Sequence, residues 1–291
     1  MLFRNIKIID YPGFSRIDLE FDSKSNILFI TSESYDEQLD DIISEIFMLF
    51  LILPNPTLYE YLNKNLKDFI TTFCIEFSYE EKEYCYYLQL SKKGVHTEEL
   101  YENNNITYQN KTLNDNPFLP EPLRMFLNRL IIIDLTRELW LRDLISEGIN
   151  KCNLESEYAD IVCTLFKNFN IIEDSNDVRF TGDCVYIYGR NIYDCSYSIR
   201  AVFGLIPLFI ECIGSSNIMF LHGFDIEIDM KSKFKLLNLF IDEKINTVQS
   251  QLIFSDQTNY NEYNLVVDKD SKHLLSKNED KNYVIKRFTN L

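Results

Sequence analysis

The stretch that decides the fold reads SIRAVFGLIPLFIECIGSSNIMFLHGF and occupies residues 198–224. Residues 200–213 are apolar at nearly every position, which predicts a buried helix. The NIMFL run at residues 217–221 follows this helix and predicts a buried strand. Downstream, residues 231–244 have the apolar spacing of an amphipathic helix, and QLIF at residues 251–254 predicts another short buried strand.

The N-terminal residues predict a hairpin, a strand and a helix. Residues 2–9 and 17–21 alternate between apolar and polar positions around a Tyr-Pro-Gly turn at residues 11–13, as a β-hairpin does. NILFIT at residues 26–31 is almost continuously apolar, as a strand buried on both faces would be. Apolar residues at helical spacing then predict a helix over residues 42–50, which stops at the prolines that follow it.

The middle of the chain predicts a meander of strands followed by a helical region. Four β-rich segments separated by short polar turns predict the meander, at residues 69–79, 83–90, 95–101 and 106–108. Residues 110–122 contain three prolines and are the clearest linker. Residues 123–169 are predicted to be largely helical, with a short strand at residues 130–134. Further strands are predicted at residues 178–188, 263–267 and 283–288.

Composition sets the broad class of the protein. The chain has 291 residues with 46% hydrophobic and 14% aromatic content, which is enough for a large core in one or two domains and excludes a disordered chain. Its net charge of −16 repels phosphate backbones, so we expect no direct nucleic-acid binding. We expect no secretory leader, because residues 1–10 already alternate like a strand. The longest apolar run, residues 46–53, is shorter than the ~20 residues of a membrane span, so a cytoplasmic protein without a membrane partner is predicted.

The seven cysteines are widely spaced, at positions 74, 85, 152, 163, 184, 195 and 212. The sequence has no CxxC pair and no neighbouring pair of histidines, which are the spacings that zinc sites use. An odd number of cysteines is also unlike a disulfide framework. We interpret them as reduced thiols packed as small hydrophobes, and we predict neither a metal nor another cofactor.

Three stretches carry a resemblance to a known family, at residues 2–30, 69–101 and 198–254. The first looks like an opening hairpin and the strand that feeds a phosphate loop, and the second is similar to a β-meander insertion. The third resembles, in order, a signature helix, a Walker B strand, a following helix and a switch strand. The family is the head domain of ABC-type ATPases of the RecF, SMC and OLD group. The likeness is greatest to the short prokaryotic AAA family ATPases found beside anti-phage genes.

The resemblance implies an α/β fold of the ABC-ATPase-head type, with a mixed central sheet, an N-terminal antiparallel β-meander layer and a helical lobe. It implies one unit over residues 1–291. Within this unit, residues 1–110 would form the N-terminal lobe and residues 111–177 a helical insertion. Residues 178–291 would form the C-terminal lobe, with the signature, Walker B and switch regions.

The segment that matches the phosphate loop, residues 32–41, reads SESYDEQLDD. Such a loop needs glycines whose backbone N–H groups surround the phosphates, a lysine that reaches the β- and γ-phosphates, and a hydroxyl for Mg²⁺. This segment has no glycine and no lysine, and five of its ten residues are acidic. The nearest lysines are Lys24 and Lys64, so no small shift in alignment supplies one. Because carboxylates repel a triphosphate at short range, we expect this degenerate loop to reject ATP.

Three other motif positions depart from the family pattern. A Walker B strand should end in Asp-Glu, for Mg²⁺ and for the attacking water, but His222 and Gly223 follow NIMFL. In the signature loop, residues 194–198, Tyr197 fills a position where a small residue would admit the partner's phosphate. Serine follows QLIF where the switch histidine is expected. Of the usual positions, only Asp225, in the place of the D-loop aspartate, is kept.

These departures predict a pseudo-ATPase, not an enzyme, that serves as a structural, regulatory or sensing subunit. Heads of this class form dimers in which each signature face completes the other subunit's site. The resemblance implies that a partner face is kept, and we predict it at Tyr197, Ser198, His222 and Asp225. The protein partner would be a second copy, an active ATPase or an effector enzyme, within an oligomeric complex of bacterial anti-phage defence. The acidic surface would suit a basic partner.

Two alternatives stay open. Asp225, Glu227 and Asp229 would share one face of a strand and could hold a divalent metal for a nuclease, although acids at a helix start explain the same pattern. The other alternative is an ATP-gated subunit whose partner supplies most phosphate contacts. For His222 we expect structural contacts at the substituted Walker B position rather than metal binding.

Overall fold

A computed structural model describes residues 2–11, 14–20, 26–32, 70–110, 120–135, 138–224, 228–255, 272–276 and 282–288. The degenerate phosphate loop beyond Ser32, the helix predicted over residues 42–50 and the strand predicted at residues 263–267 lie outside these residues.

The strands in the described ranges follow the predicted order closely. The N-terminal strands are β1 (Leu2–Tyr11), β2 (Phe14–Glu20) and β3 (Ile27–Ser32). The meander consists of β4 (Thr71–Tyr79), β5 (Lys82–Ser91), β6 (Gly94–Glu102) and β7 (Asn105–Asn110). The later strands are β8 (Leu130–Asp134), β9 (Val178–Thr181), β10 (Cys184–Ile187), β11 (Arg190–Asn191), β12 (Ile218–His222), β13 (Gln251–Ser255), β14 (Lys272–Ser276) and β15 (Asn282–Phe288).

The α-helices of the same ranges are α1 (Glu121–Leu127), α2 (Glu138–Leu154), α3 (Ser156–Asn168), α4 (Tyr197–Ser215) and α5 (Met230–Ile241). The sequence predicts the start of α4 three residues too late. The helix begins at Tyr197 because the Ser196 hydroxyl caps it by accepting a hydrogen bond from the Ile199 N–H at 3.4 Å.

Twelve of the strands form one sheet, in the order β7-β6-β5-β4-β1-β2-β14-β15-β3-β13-β12-β8. Neighbours are antiparallel from β7 to β3. The last four strands, β3, β13, β12 and β8, are parallel. The mixed sheet and the antiparallel meander are therefore present. The meander differs from the predicted separate layer, because β1 pairs with both β2 and β4 and so joins the meander to the central sheet.

A second sheet of three strands, in the order β11-β10-β9, replaces the single strand predicted at residues 178–188. The chain reverses between β9 and β10, where Gly182 has a φ of +52°. This left-handed conformation suits glycine, because it has no Cβ.

Aromatic contacts show that the wide sheet folds back on itself. Phe3 on β1 and Phe220 on β12 are six strands apart in the sheet, which would separate them by about 29 Å if the sheet were flat. Their ring centroids are instead 6.2 Å apart. Phe126 of α1 stacks on Phe3 at 6.1 Å and on Phe77 of β4 at 4.5 Å. The two halves of the sheet thus share an aromatic core.

A buried glutamine holds the two halves together through hydrogen bonds. The Phe3 N–H donates to Gln251 Oε1 at 2.7 Å, and Gln251 Nε2 donates to the Phe3 carbonyl at 2.8 Å. Phe3 pairs with Phe77 of β4 on one side, but the β1–β2 pairing starts only at Asn5, so the amide of Gln251 takes the place of a strand partner on the other side. We call this pair of hydrogen bonds the Gln251 clamp.

Four helices, α2 to α5, pack on the parallel half of the sheet and enclose a large apolar core. Helices α2 and α4 approach closely at two glycines. A Cβ on Gly204 would lie 3.1 Å from Leu144 Cβ, and one on Gly148 would lie 3.2 Å from Phe203. By length and composition, α4 is the one helix of the described residues that could cross a membrane, but 56% of its apolar window is buried in the protein. It occupies the position of a core helix.

We predict that Gln251→Met destabilises the fold strongly although it preserves side-chain volume. Both backbone groups of Phe3 would be left buried without these partners, which should lower the free energy of unfolding by about 2 to 4 kcal/mol. Urea unfolding followed by circular dichroism measures this change. Gln249→Met is the matched control, because Gln249 is exposed and lies two residues before Gln251. Equal stability of the two variants would show that the clamp contributes nothing.

Candidate functional site

The carboxyl ends of the four parallel strands lie side by side and form the candidate site. Ligands bind at this end of the strands in open α/β sheets. The last residues of the strands are Ser32 on β3, Ser255 on β13, His222 on β12 and Asp134 on β8. We call these four residues, with Leu135, the carboxyl edge.

His222 and Asp134 form a contact at the β8 end of the carboxyl edge. The parallel register places them opposite each other, and His222 Nδ1 lies 3.2 Å from Asp134 Oδ1. Their side chains are 4% and 14% exposed. His222 therefore makes structural contacts, as expected. The His222 side chain is buried, and the partner face predicted at Tyr197, Ser198, His222 and Asp225 stays a prediction.

Gly223 turns the chain sharply away from the end of β12. Its φ is +75°, in the left-handed region that L side chains rarely adopt. The family resemblance places the second Walker B acid here. A glutamate at position 223 would be strained in this backbone.

Tyr197, the first residue of α4, is tied to the carboxyl edge. Its hydroxyl donates to the Leu135 carbonyl at 2.5 Å, and the Leu135 N–H donates to the His222 carbonyl at 2.9 Å. The guanidinium of Arg200 lies 5.4 Å from the centroid of the Tyr197 ring. The start of the signature helix is therefore fixed by internal contacts.

Ser198 and Asp229 connect the N-termini of α4 and α5. Ser198 Oγ donates to Asp229 Oδ2 at 3.1 Å, and the Asp229 N–H donates to Ser198 Oγ at 3.2 Å. Asp229 Oδ1 accepts from the Ser232 N–H at 3.0 Å, so this carboxylate caps α5. This cap matches the helix-start interpretation and gives the nuclease alternative no support. Asp225 and Glu227 lie outside the described residues.

The cysteine of the signature loop is not an activated nucleophile. Burial raises the pKa of the Cys195 thiol, which keeps it protonated at neutral pH. The thiol donates to the Asn191 carbonyl at 3.4 Å.

Sequence reasoning missed two charged residues near the carboxyl edge. The signal for Asp134 was available, because the LIIID run at residues 130–134 ends in an acid where a strand ends. Lys233 is 2% exposed, and its Nζ lies 5.7 Å from the centroid of the Phe224 ring. No pattern in the sequence distinguishes this buried lysine from its exposed neighbours.

Comparison with known proteins identifies the fold. The SMC head domain from Thermotoga maritima matches with a TM-score of 0.52 over 92% of this chain and 94% of that chain. The two sequences are 12% identical, so the match shows an ABC-ATPase-head-like fold and nothing finer. No protein-family profile matches the chain, and no curated protein matches it.

We predict that Gly223→Ala destabilises the protein by about 1 to 2 kcal/mol, because the Cβ of alanine is strained in a left-handed backbone conformation. Gly214→Ala is the control. A Cβ at position 214 meets no atom within 4 Å and lies in α4, so alanine should be neutral or stabilise the helix by up to about 1 kcal/mol. Thermal unfolding of both variants measures the difference. A Gly223→Ala variant as stable as the native protein would exclude the proposed constraint.

Proposed function

We propose that this chain is a catalytically inactive ABC-type head that acts as a structural, regulatory or sensing subunit of a protein complex. The observation that carries the proposal is the end of β12. His222 contacts Asp134 there and Gly223 has a left-handed backbone, at the two positions where the family resemblance places Asp-Glu.

The chemistry of hydrolysis explains why these positions matter. Phosphoryl transfer to water needs a magnesium ion on the phosphates and a residue that orients the water. Mg²⁺ prefers oxygen ligands, and an imidazole at position 222 is a poor replacement for a carboxylate. Among the residues that the structure describes, the carboxylate in contact with His222 belongs to Asp134, whose Oδ1 faces the imidazole at 3.2 Å.

The sequence of the degenerate loop supports the same proposal, because it disfavours binding of the nucleotide phosphates. Five carboxylates in residues 32–41 would face a triphosphate that carries like charge, with no lysine to offset them. Loss of nucleotide binding would then accompany loss of hydrolysis.

We expect isothermal titration calorimetry to detect no binding of ATP with Mg²⁺ at micromolar to millimolar nucleotide, because the loop repels phosphate. An active SMC head measured under the same conditions is the positive control. Micromolar affinity, or ATP hydrolysis that Asp134→Ala abolishes, would refute the proposal. Far-UV circular dichroism confirms that the preparation is folded.

The subunit role requires a surface that binds protein. The signature loop offers one, because Tyr193 is 39% exposed and Asp194 is also exposed at the start of α4. We place the partner face here, around Tyr197 and Ser198. The partner is a second copy, an active ATPase or an effector enzyme, and by family resemblance the complex belongs to bacterial anti-phage defence.

We predict that Asp194→Arg disrupts the complex, because it reverses a charge at the centre of the partner face. Asp183→Arg makes the same charge change at the exposed turn between β9 and β10 and should leave the complex intact. Sedimentation velocity of the native assembly and of both variants measures the mass. If both variants lost the same mass, or if neither lost mass, the partner face would not lie in this loop.

A further inference from the structure

Two thiols and a carboxylate lie together on the outer face of the meander. The sulfurs of Cys74 on β4 and Cys85 on β5 are 3.1 Å apart. The ligand atoms of Cys74, Cys85 and Glu76 all lie within 4.8 Å of one another. Each of the three residues is half-buried, so the group is within reach of solvent.

The strand register holds these three side chains on one face. Glu76 is directly opposite Cys85, and Cys74 is opposite Tyr87, which places the two cysteines diagonally across the β4–β5 pair. Side chains alternate between the faces of a strand, so the intervening Ile75 points into the core, where it is fully buried. Because β4 and β5 are each paired on both sides, the three donors stand on a rigid frame.

The charges around the group act in opposite directions, because Glu76 raises the pKa of both thiols and Lys7 lowers it. Lys7 of β1 lies opposite Cys74, and its Nζ is 3.3 Å from Glu76 Oε1. The hydrogen bond between the sulfurs lowers the pKa of Cys85 and, together with burial, raises the pKa of Cys74. Thiolates are the form in which cysteines bind metals.

We propose that Cys74, Cys85 and Glu76 form a binding site for a thiophilic divalent cation of the zinc class. Two thiolates and one carboxylate are a ligand set that such a cation accepts, and the fourth tetrahedral position is left for water. On binding, the thiol protons of the two cysteines are released to solvent, so both sulfurs coordinate as thiolates. This assignment departs from the metal-free expectation for the cysteines and is independent of the nucleotide question.

The geometry needs only a small adjustment to take the ion. Metal–sulfur bonds of about 2.3 Å at a tetrahedral angle set the sulfurs about 3.8 Å apart. The present separation is 3.1 Å, so the sulfurs must move apart by a side-chain rotation without any change in strand pairing. The site cannot be recognised from the sequence, because the two cysteines are eleven positions apart and only the register of the β4–β5 hairpin brings them together.

The test is a titration of the fully reduced protein with Co²⁺, followed by displacement with Zn²⁺. One Co²⁺ per chain should give thiolate-to-cobalt charge-transfer absorption in the near ultraviolet and the visible bands of tetrahedral cobalt. Cys74→Ser and Cys85→Ser should each weaken binding by roughly 100-fold or more, and Glu76→Gln by at least roughly tenfold. Cys184→Ser, which alters another half-buried strand cysteine, should leave binding unchanged.

Three results would overturn the site. The first is the absence of a charge-transfer band at one equivalent of Co²⁺, and the second is a band that persists in Cys85→Ser. The third is an intact mass lower by two hydrogens in reducing buffer, with the loss mapped to a Cys74–Cys85 disulfide. The Glu76→Gln variant keeps both thiols, so its loss of affinity separates coordination from a folding defect of the serine variants.

Discussion

The closure of the sheet depends on satisfying the backbone of Phe3 away from water. Strongly twisted sheets of more than about ten strands curl, split or flatten, and this one brings β1 against β12 and β13. The N–H and carbonyl of Phe3 then lie in the core, where an unpaired backbone group is costly. The side chain of Gln251 satisfies both groups. The aromatic contacts between the two halves, and the position of α1 between them, require this closure.

Several polar groups at and beside the carboxyl edge contact one another. Tyr197 donates to the Leu135 carbonyl, Ser198 and Asp229 bond to each other, and His222 faces Asp134. A site built for a charged ligand keeps some donors and carboxylates for that ligand. Here these side chains hold the helix starts and the strand ends together. This arrangement supports the proposal that the chain is an inactive head.

Much of the fold could be predicted from the sequence, because the spacing of apolar residues and the residue types in turns determine helices, strands and turns locally. The hairpin, the meander, α4 and the buried strands β3, β12 and β13 were all predictable in this way. The pairing of β4 with β5 was predictable, but the contact between Cys74 and Cys85 was not, since it depends on a register fixed by both neighbouring strands. The left-handed backbone of Gly223 and the burial of Lys233 likewise follow from tertiary packing.

The position of β3 in the sheet determines how late in synthesis this strand can pair with its partners. Its two partners are β13 and β15, so the strand that enters the carboxyl edge is paired only by segments from the end of the chain. Phe288 is added about 250 residues after Ser32, which at ~5–20 residues per second takes roughly 12 to 50 s on the ribosome. Until residues 251–255 are made, the apolar NILFIT segment has neither of these partners, and unpaired strands of this kind are prone to aggregation.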